Sequence, residues 1–241
     1  MAMGAPTGMT IPPATVTITV TITILATGMI MHTDPVLTLV QWFSPAYPVG
    51  SYAYSHGLEW DVEAKAVTDA QTLRAWIKAV LRHGAGWSDA LFLVAAYKAD
   101  DPVPIDATAR AFSASAERLK ETALQGEAFA RATTEIWATS LPCLTYPVAV
   151  GHAARLHALS LELTVQFYLQ AFLTNLATAG MRLIPLGQTQ GQGVIRALSP
   201  LCAELAAAAT DATLDDLTAT AFLSDIASMK HETQYSRIFR T

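Results

Sequence analysis

From residue 34 onward the apolar positions recur with the period of a helix. Leu73, Trp76, Ile77, Val80 and Leu81 fall at i, i+3, i+4, i+7 and i+8, one face of a helix. Thr68 and Gln71 stand at capping-box spacing before it, and Gly84 stands where a C-cap would end it. Ser88 is read as the cap of a following helix that runs toward Lys98, before Asp100-Asp101-Pro102-Val103-Pro104 breaks the chain. A third helical block spans Asp106 to Thr139 in two pieces, and Pro142 and Pro147 bracket a short connection. The run from Ala153 to Leu183 reads as one or two largely buried helices that end before Pro185. Gly187 to Ala209 supplies another helix, and Leu214 to Met229 a last one before a polar tail. No strand pattern or repeat appears after residue 31, and the breakers are too short to separate two cores. The expected fold is all-α: a single-domain irregular helical bundle over residues 31–230, with a tail at 231–241.

The first thirty residues depart from this pattern. Thr15 to Leu25, TVTITVTITIL, alternates threonine with valine or isoleucine, the period of a strand with one apolar face. Met29 and Met31 follow. Residues 1–30 are therefore read as a strand-like or disordered extension from an early start codon, with the true start at Met29 or Met31. The alternative is a genuine exposed strand, although uncovered edges are rarely tolerated. The first basic residue is Lys65, so the charged start of a signal peptide is missing. Threonine at every second position also spoils a membrane span.

Composition sharpens the picture. The 241 residues are 52% hydrophobic and 15% charged, enough for a large core with apolar surface left over as contact area. A formal charge of −5 argues against nucleic acid, which needs a basic face. Cys143 and Cys202 belong to no CxxC motif, so a reducing cytoplasm and two buried core thiols are expected.

No catalytic set assembles. His152 and His157 are five apart, the wrong spacing for two ligands on one helical face, and in HETQY Tyr235 stands where a zinc motif needs its second histidine. Ser44, Ser51 and Ser55 lack a nucleophile elbow. Glu59, Asp61 and Glu63 are two apart, which fits a solvated helix start better than paired acid–base carboxylates. Gly187 to Gly193, GQTQGQG, has neither the lysine nor the hydroxyl of a phosphate loop, so it reads as a helix-entry turn.

The unusual residues concentrate in SPAYPVGSYAYSHGLEW, Ser44 to Trp60, with two prolines, two glycines and three tyrosines. Prolines fix the backbone, glycines allow close approach, and tyrosines offer rigid amphipathic contact area. The stretch reads as a surface shaped for another protein, and equally as a well-packed turn inside the bundle.

This stretch is similar to the amino-terminal signature of the UreF family of urease accessory proteins, close to S-x-LPVGGF-x-(Y/H)S-x-GLE. The resemblance continues through ERLKETALQGEAFARA at Glu117 to Ala132 and through Tyr146 to Ile195. It closes on DIASMKHETQYSRIFRT, which resembles H-E-x-x-x-x-R-(L/I)-F-R-S. Tyr47, Ser51 and Thr241 depart from the pattern.

The resemblance implies an all-α scaffold without catalysis, cofactor or metal of its own. It implies a homodimer that binds a second accessory protein, UreD or UreH, and with it recruits the GTPase UreG to load nickel into apo-urease. Carried over by position, the partner-contact tail is His231, Glu232, Tyr235, Arg237, Phe239 and Arg240. The signature is Pro48, Val49, Gly50, Ser55, Gly57, Leu58 and Glu59. Two rival readings remain: a helical enzyme with a His56/Glu59 acid–base pair, and a nickel carrier using His152, His157 or Cys143. Tyr235, Ile238 and Phe239 stand at i, i+3 and i+4, but so short a helix is marginal. The tail is therefore expected to be loosely packed until a partner binds.

Overall fold

The computed structural model describes residues 1, 2, 4, 34–218 and 221–240. The chain divides into two units, Met1–His32 and Thr33–Thr241, and the second carries the fold described below. The alternating stretch at 15–25 and the candidate starts Met29 and Met31 lie outside the described residues.

Every regular element among the described residues is helical. They are α1 (Pro35–Trp42), α2 (Leu58–Glu63), α3 (Ala70–His83), α4 (Ala85–Lys98), α5 (Val103–Ala111), α6 (Ala116–Trp137), α7 (Tyr146–Leu156), α8 (Leu161–Leu183), α9 (Gln188–Asp211) and α10 (Phe222–His231). Short 3₁₀ turns occupy Ser51–Ala53 and Leu214–Asp216.

The amphipathic period of residues 73–81 places Leu73, Ile77, Val80 and Leu81 in the core face of α3. Its capping box is shifted by one from the expected pair. Asp69 accepts from the Thr72 amide at 2.8 Å, and the Thr72 hydroxyl accepts from the Asp69 amide at 3.0 Å. Ser88 is not a cap: Gly84 both ends α3 and begins α4, and the Ser88 hydroxyl donates back to the Gly84 carbonyl at 3.3 Å.

α4 is the central helix. Ala90 to Val94 are all buried, so it has no solvent face and hence no amphipathic period by which to recognise it. α7 crosses it closely enough that a Cβ on Gly151 would lie 2.2 Å from the Leu93 carbonyl oxygen. The run from Ala153 to Leu183 is indeed split, at Ala158 in the left-handed region (φ 51°), after which Ser160 caps α8. α9 has the length and apolarity of a membrane span, yet Val194, Leu198, Cys202, Leu205 and Ala209 are buried as a core stripe, and its Glu204 pairs with Arg82 at 2.8 Å.

Two other expectations are corrected. Leu214 to Met229 is not one helix but a 3₁₀ turn followed by α10. Of the two thiols, Cys202 is buried but Cys143, in the loop between α6 and α7, is exposed.

Candidate interaction site

The stretch from Ser44 to Trp60 is well packed. Tyr47 is buried and its hydroxyl lies 2.8 Å from that of Thr133 on α6. Tyr54 is also buried, whereas Tyr52 is exposed. Val49 is buried, Pro48 is exposed, and Gly50 (φ 73°) opens the turn at Ser51–Ala53. His56 and Gly57 are both left-handed, with φ of 57° and 83°. A Cβ on Gly57 would lie 2.5 Å from the Ser228 amide nitrogen, so only glycine lets α10 close onto this turn. Ser55 and Leu58 are fully buried, the Ser55 carbonyl accepting from the Leu58 amide at 3.1 Å.

This turn aims Glu59 at the tail. One carboxylate oxygen accepts from the Ile238 amide at 2.7 Å and the other from the Phe239 amide at 2.9 Å. The second oxygen also lies 3.2 Å from His231 Nε2. His231 has no exposed surface, and its Nδ1 is 2.7 Å from Glu117 on α6, which in turn accepts from Arg237. A neutral imidazole can donate to only one of these carboxylates, an imidazolium to both. Glu232 caps α6 from outside by accepting from the Ala116 amide at 2.8 Å, a carboxylate placed at the positive end of the helix dipole.

Beyond it the tail runs along the signature loop without forming a helix. Phe239 is buried beneath the guanidinium of Arg182, 4.5 Å from its ring centre. The Arg240 amide donates to the Ala53 carbonyl at 2.8 Å. The expectation of a loose tail therefore gives way to a docked one, because acceptors elsewhere in the fold replace the helical ladder that ten residues cannot sustain. Tyr235 is fully exposed and Ile238 largely so.

The structure thus brings signature and tail together, with two kinds of residue among them. Ser55, Gly57, Leu58, Glu59, His231 and Phe239 are buried, whereas Pro48, Glu232, Tyr235, Arg237 and Arg240 reach solvent. Sequence reasoning missed Glu117 and Arg182. Glu117 heads the quoted motif ERLKETALQGEAFARA, but no local pattern distinguishes it from a solvated helix start. Glu59 and Asp61 are not solvated as expected. Asp61 accepts from the Trp76 indole at 2.7 Å, and burial raises its pKa.

His56 and Glu59 do not face each other as an acid–base pair. His56 turns to Glu121, 3.1 Å away, in a buried network in which Arg118 bridges Glu121 (3.3 Å) and Asp89 (2.6 Å) and Tyr168 donates to Asp89 at 2.7 Å. Burial works against the Arg118 charge, but Asp89 and Glu121 more than offset it, so its pKa is raised. Burial and then the Asp89 charge push the Tyr168 phenol well above its ordinary value. Cavities of about 340 and 380 Å³ flank this network and share His56, Asp89 and Arg118.

Among the described residues no three of His, Cys, Asp and Glu group as metal ligands. His157 packs edge-on against Trp42 and Trp137, and burial lowers its pKa. GQTQGQG turns into α9, the Gly187 amide donating to the Gln190 side chain at 3.1 Å.

Residues 67–199 match the UreF family model. The chain belongs to the UreF family. Relatives agree over almost their full lengths. A urease accessory protein UreF of Ruegeria pomeroyi is 61% identical over 209 residues, which is 86% of this chain and 96% of that one. A urease accessory protein UreF of Roseobacter denitrificans is 54% identical over 215 residues, 88% of this chain and 97% of the relative. In this UreF-family chain the matched region holds α3 to α8 and the first part of α9. The signature loop and the tail therefore frame the matched segment from both sides and meet each other across α2 and α10.

Proposed function

We propose that this UreF-family chain is a non-enzymatic scaffold for nickel insertion into apo-urease. It binds the UreD/UreH accessory protein and through that complex recruits or regulates the GTPase UreG, as a homodimer in the cytoplasm. The names of its relatives supply the urease setting. The observation that carries the docking role is the tail: a buried clasp holds residues 231–240 in place while Tyr235 and Ile238 point into solvent. Tyrosine and arginine are favoured interface anchors, and Tyr235 is held fully toward solvent with Ile238 exposed three residues on. The cations Lys230, Arg182, Arg237 and Arg240 stand among the carboxylates Glu59, Glu63, Glu117 and Glu232, and Arg237 is paired with Glu117, so the edge is mixed in charge. An accessory partner with an apolar socket for Tyr235 and Ile238 fits this edge.

The test is co-purification of the double variant Tyr235→Ala, Ile238→Ala with the UreD/UreH-type protein. Loss of capture with unchanged circular dichroism supports docking at the tail, whereas full capture refutes it. The isolated chain is also expected to show no saturable GTP binding by calorimetry, since GQTQGQG lacks a phosphate-loop lysine.

A further inference from the structure

We propose that Glu59 is the positioning residue of this docking surface, so that the GLE of the signature and the closing H-E-x-x-x-x-R motif work as one device. The inference rests on the docking reading of the tail. A partner cannot make substantial contact with Glu59, which is 6% exposed, or with His231, which has no exposed surface. Their role is to fix what the partner does touch.

The geometry shows how. Residues 231–240 have few hydrogen bonds of their own. The Thr233 and Gln234 amides donate to the Lys230 and His231 carbonyls. The Gln234 side chain donates to the Ser236 carbonyl at 3.1 Å and to Glu63, and the Arg237 guanidinium donates to the His231 carbonyl at 3.4 Å. The Ile238, Phe239 and Arg240 amides, by contrast, are held from outside. The Glu59 carboxylate takes two successive amides, Ile238 and Phe239, which fixes the direction of the chain at that point. Phe239 then points into the core and Ile238 outward. Glu117 anchors the other end by receiving both His231 and Arg237. Tyr235 stands on the loop between His231 and Arg237, the two residues that Glu117 receives, and Glu59 fixes the segment that follows. Hydrogen bonds to an ionised carboxylate are among the stronger ones in proteins, and a buried donor left without its acceptor is costly. Neutralising either carboxylate therefore releases the loop that displays Tyr235 and Ile238, leaving the helical bundle in place.

A released tail lowers affinity in a recognisable way. If only a fraction of molecules hold the competent conformation, the apparent dissociation constant rises by the inverse of that fraction. The loss appears in the association rate, because the bound state is the same once formed. Removing a true contact instead raises the dissociation rate.

The experiment compares full-length wild type, Glu59→Gln, Glu117→Gln and Tyr235→Ala. It measures amide hydrogen exchange at residues 235–240 in the free protein and surface-plasmon kinetics against the UreD/UreH-type protein. Glu117→Gln is included because it loosens the tail without touching the buried Glu59. Both carboxylate variants are expected to exchange roughly tenfold faster or more in the tail. Their association is expected to slow by a similar factor, with dissociation and far-ultraviolet circular dichroism unchanged. Wild-type exchange in both variants overturns the proposal, as does fast exchange with wild-type association. Tyr235→Ala is expected to exchange normally and dissociate faster. Unchanged dissociation in that variant strikes at the docking reading and not at the role of Glu59 in ordering the tail.

Discussion

Arg118 and Asp89 meet at 2.6 Å inside the bundle, with 12% and 8% of their side chains exposed. Glu121 lies on the other side of the same guanidinium, 3.3 Å away, so one cation serves two buried carboxylates. Arg118→Ala leaves both without it. The expected cost is about 3–5 kcal/mol, the usual penalty for stranding a buried charge. Urea denaturation checks it. The double variant Arg118→Met, Asp89→Asn is expected to recover part of that loss, because one stranded charge goes with the cation; no recovery would show that packing, not charge, decides the site.

Acidification acts through His157. Burial depresses its folded pKa below the ordinary 6.5, so the folded state favours the neutral ring. The resulting stabilisation is fully present above the unfolded value and is lost as pH falls through the folded one. His152 contributes with the same sign, through burial and then the nearby Arg155 charge. His157→Phe is expected to flatten the fall in denaturation midpoint between pH 7 and pH 5 without abolishing it. A wild-type slope in the variant would count against this account.

Gly57→Ala tests the closure of α10. The residue sits at φ 83°, and a Cβ would lie 2.5 Å from the Ser228 amide nitrogen. Left-handed strain of about 1–2 kcal/mol adds to overpacking against rigid backbone, typically about 1–3 kcal/mol. A midpoint shift smaller than about 1 kcal/mol would mean that α10 moves aside at little cost.

Removing residues 236–241 is expected to lower stability as well as partner binding. Phe239 fills a core position, and a buried phenylalanine contributes roughly 1.5–3 kcal/mol. For a domain of this size a loss of that order moves the melting temperature by about 3–12 °C. An unchanged melting curve would return the tail to the loose state expected from its sequence.

That last contrast marks where local pattern stops being informative. The period at Leu73 to Leu81 revealed α3, since a helix half in water must show its face in the sequence. The all-α class and the break before Pro185 followed from the same logic. Shortness argued correctly that Tyr235 to Phe239 would not make a stable helix. It could not reveal that Glu59, 172 positions before His231, supplies the missing acceptors. Such pairings depend on tertiary approach, and neither partner carries a local signal for it. The resemblance to the UreF family singled out both the signature and the tail, but only burial separates Glu59 and His231 from Tyr235 and Arg240.

The two thiols, finally, give the molecule a built-in chemical handle. Burial pushes the Cys202 thiol up to about 12, so almost none of it is thiolate at neutral pH and it is shielded besides. Cys143 is exposed in the loop after α6. A maleimide dye should therefore mark the unaltered chain at a single known point. Fluorescence from that point can report the approach of a partner without any substitution in the protein.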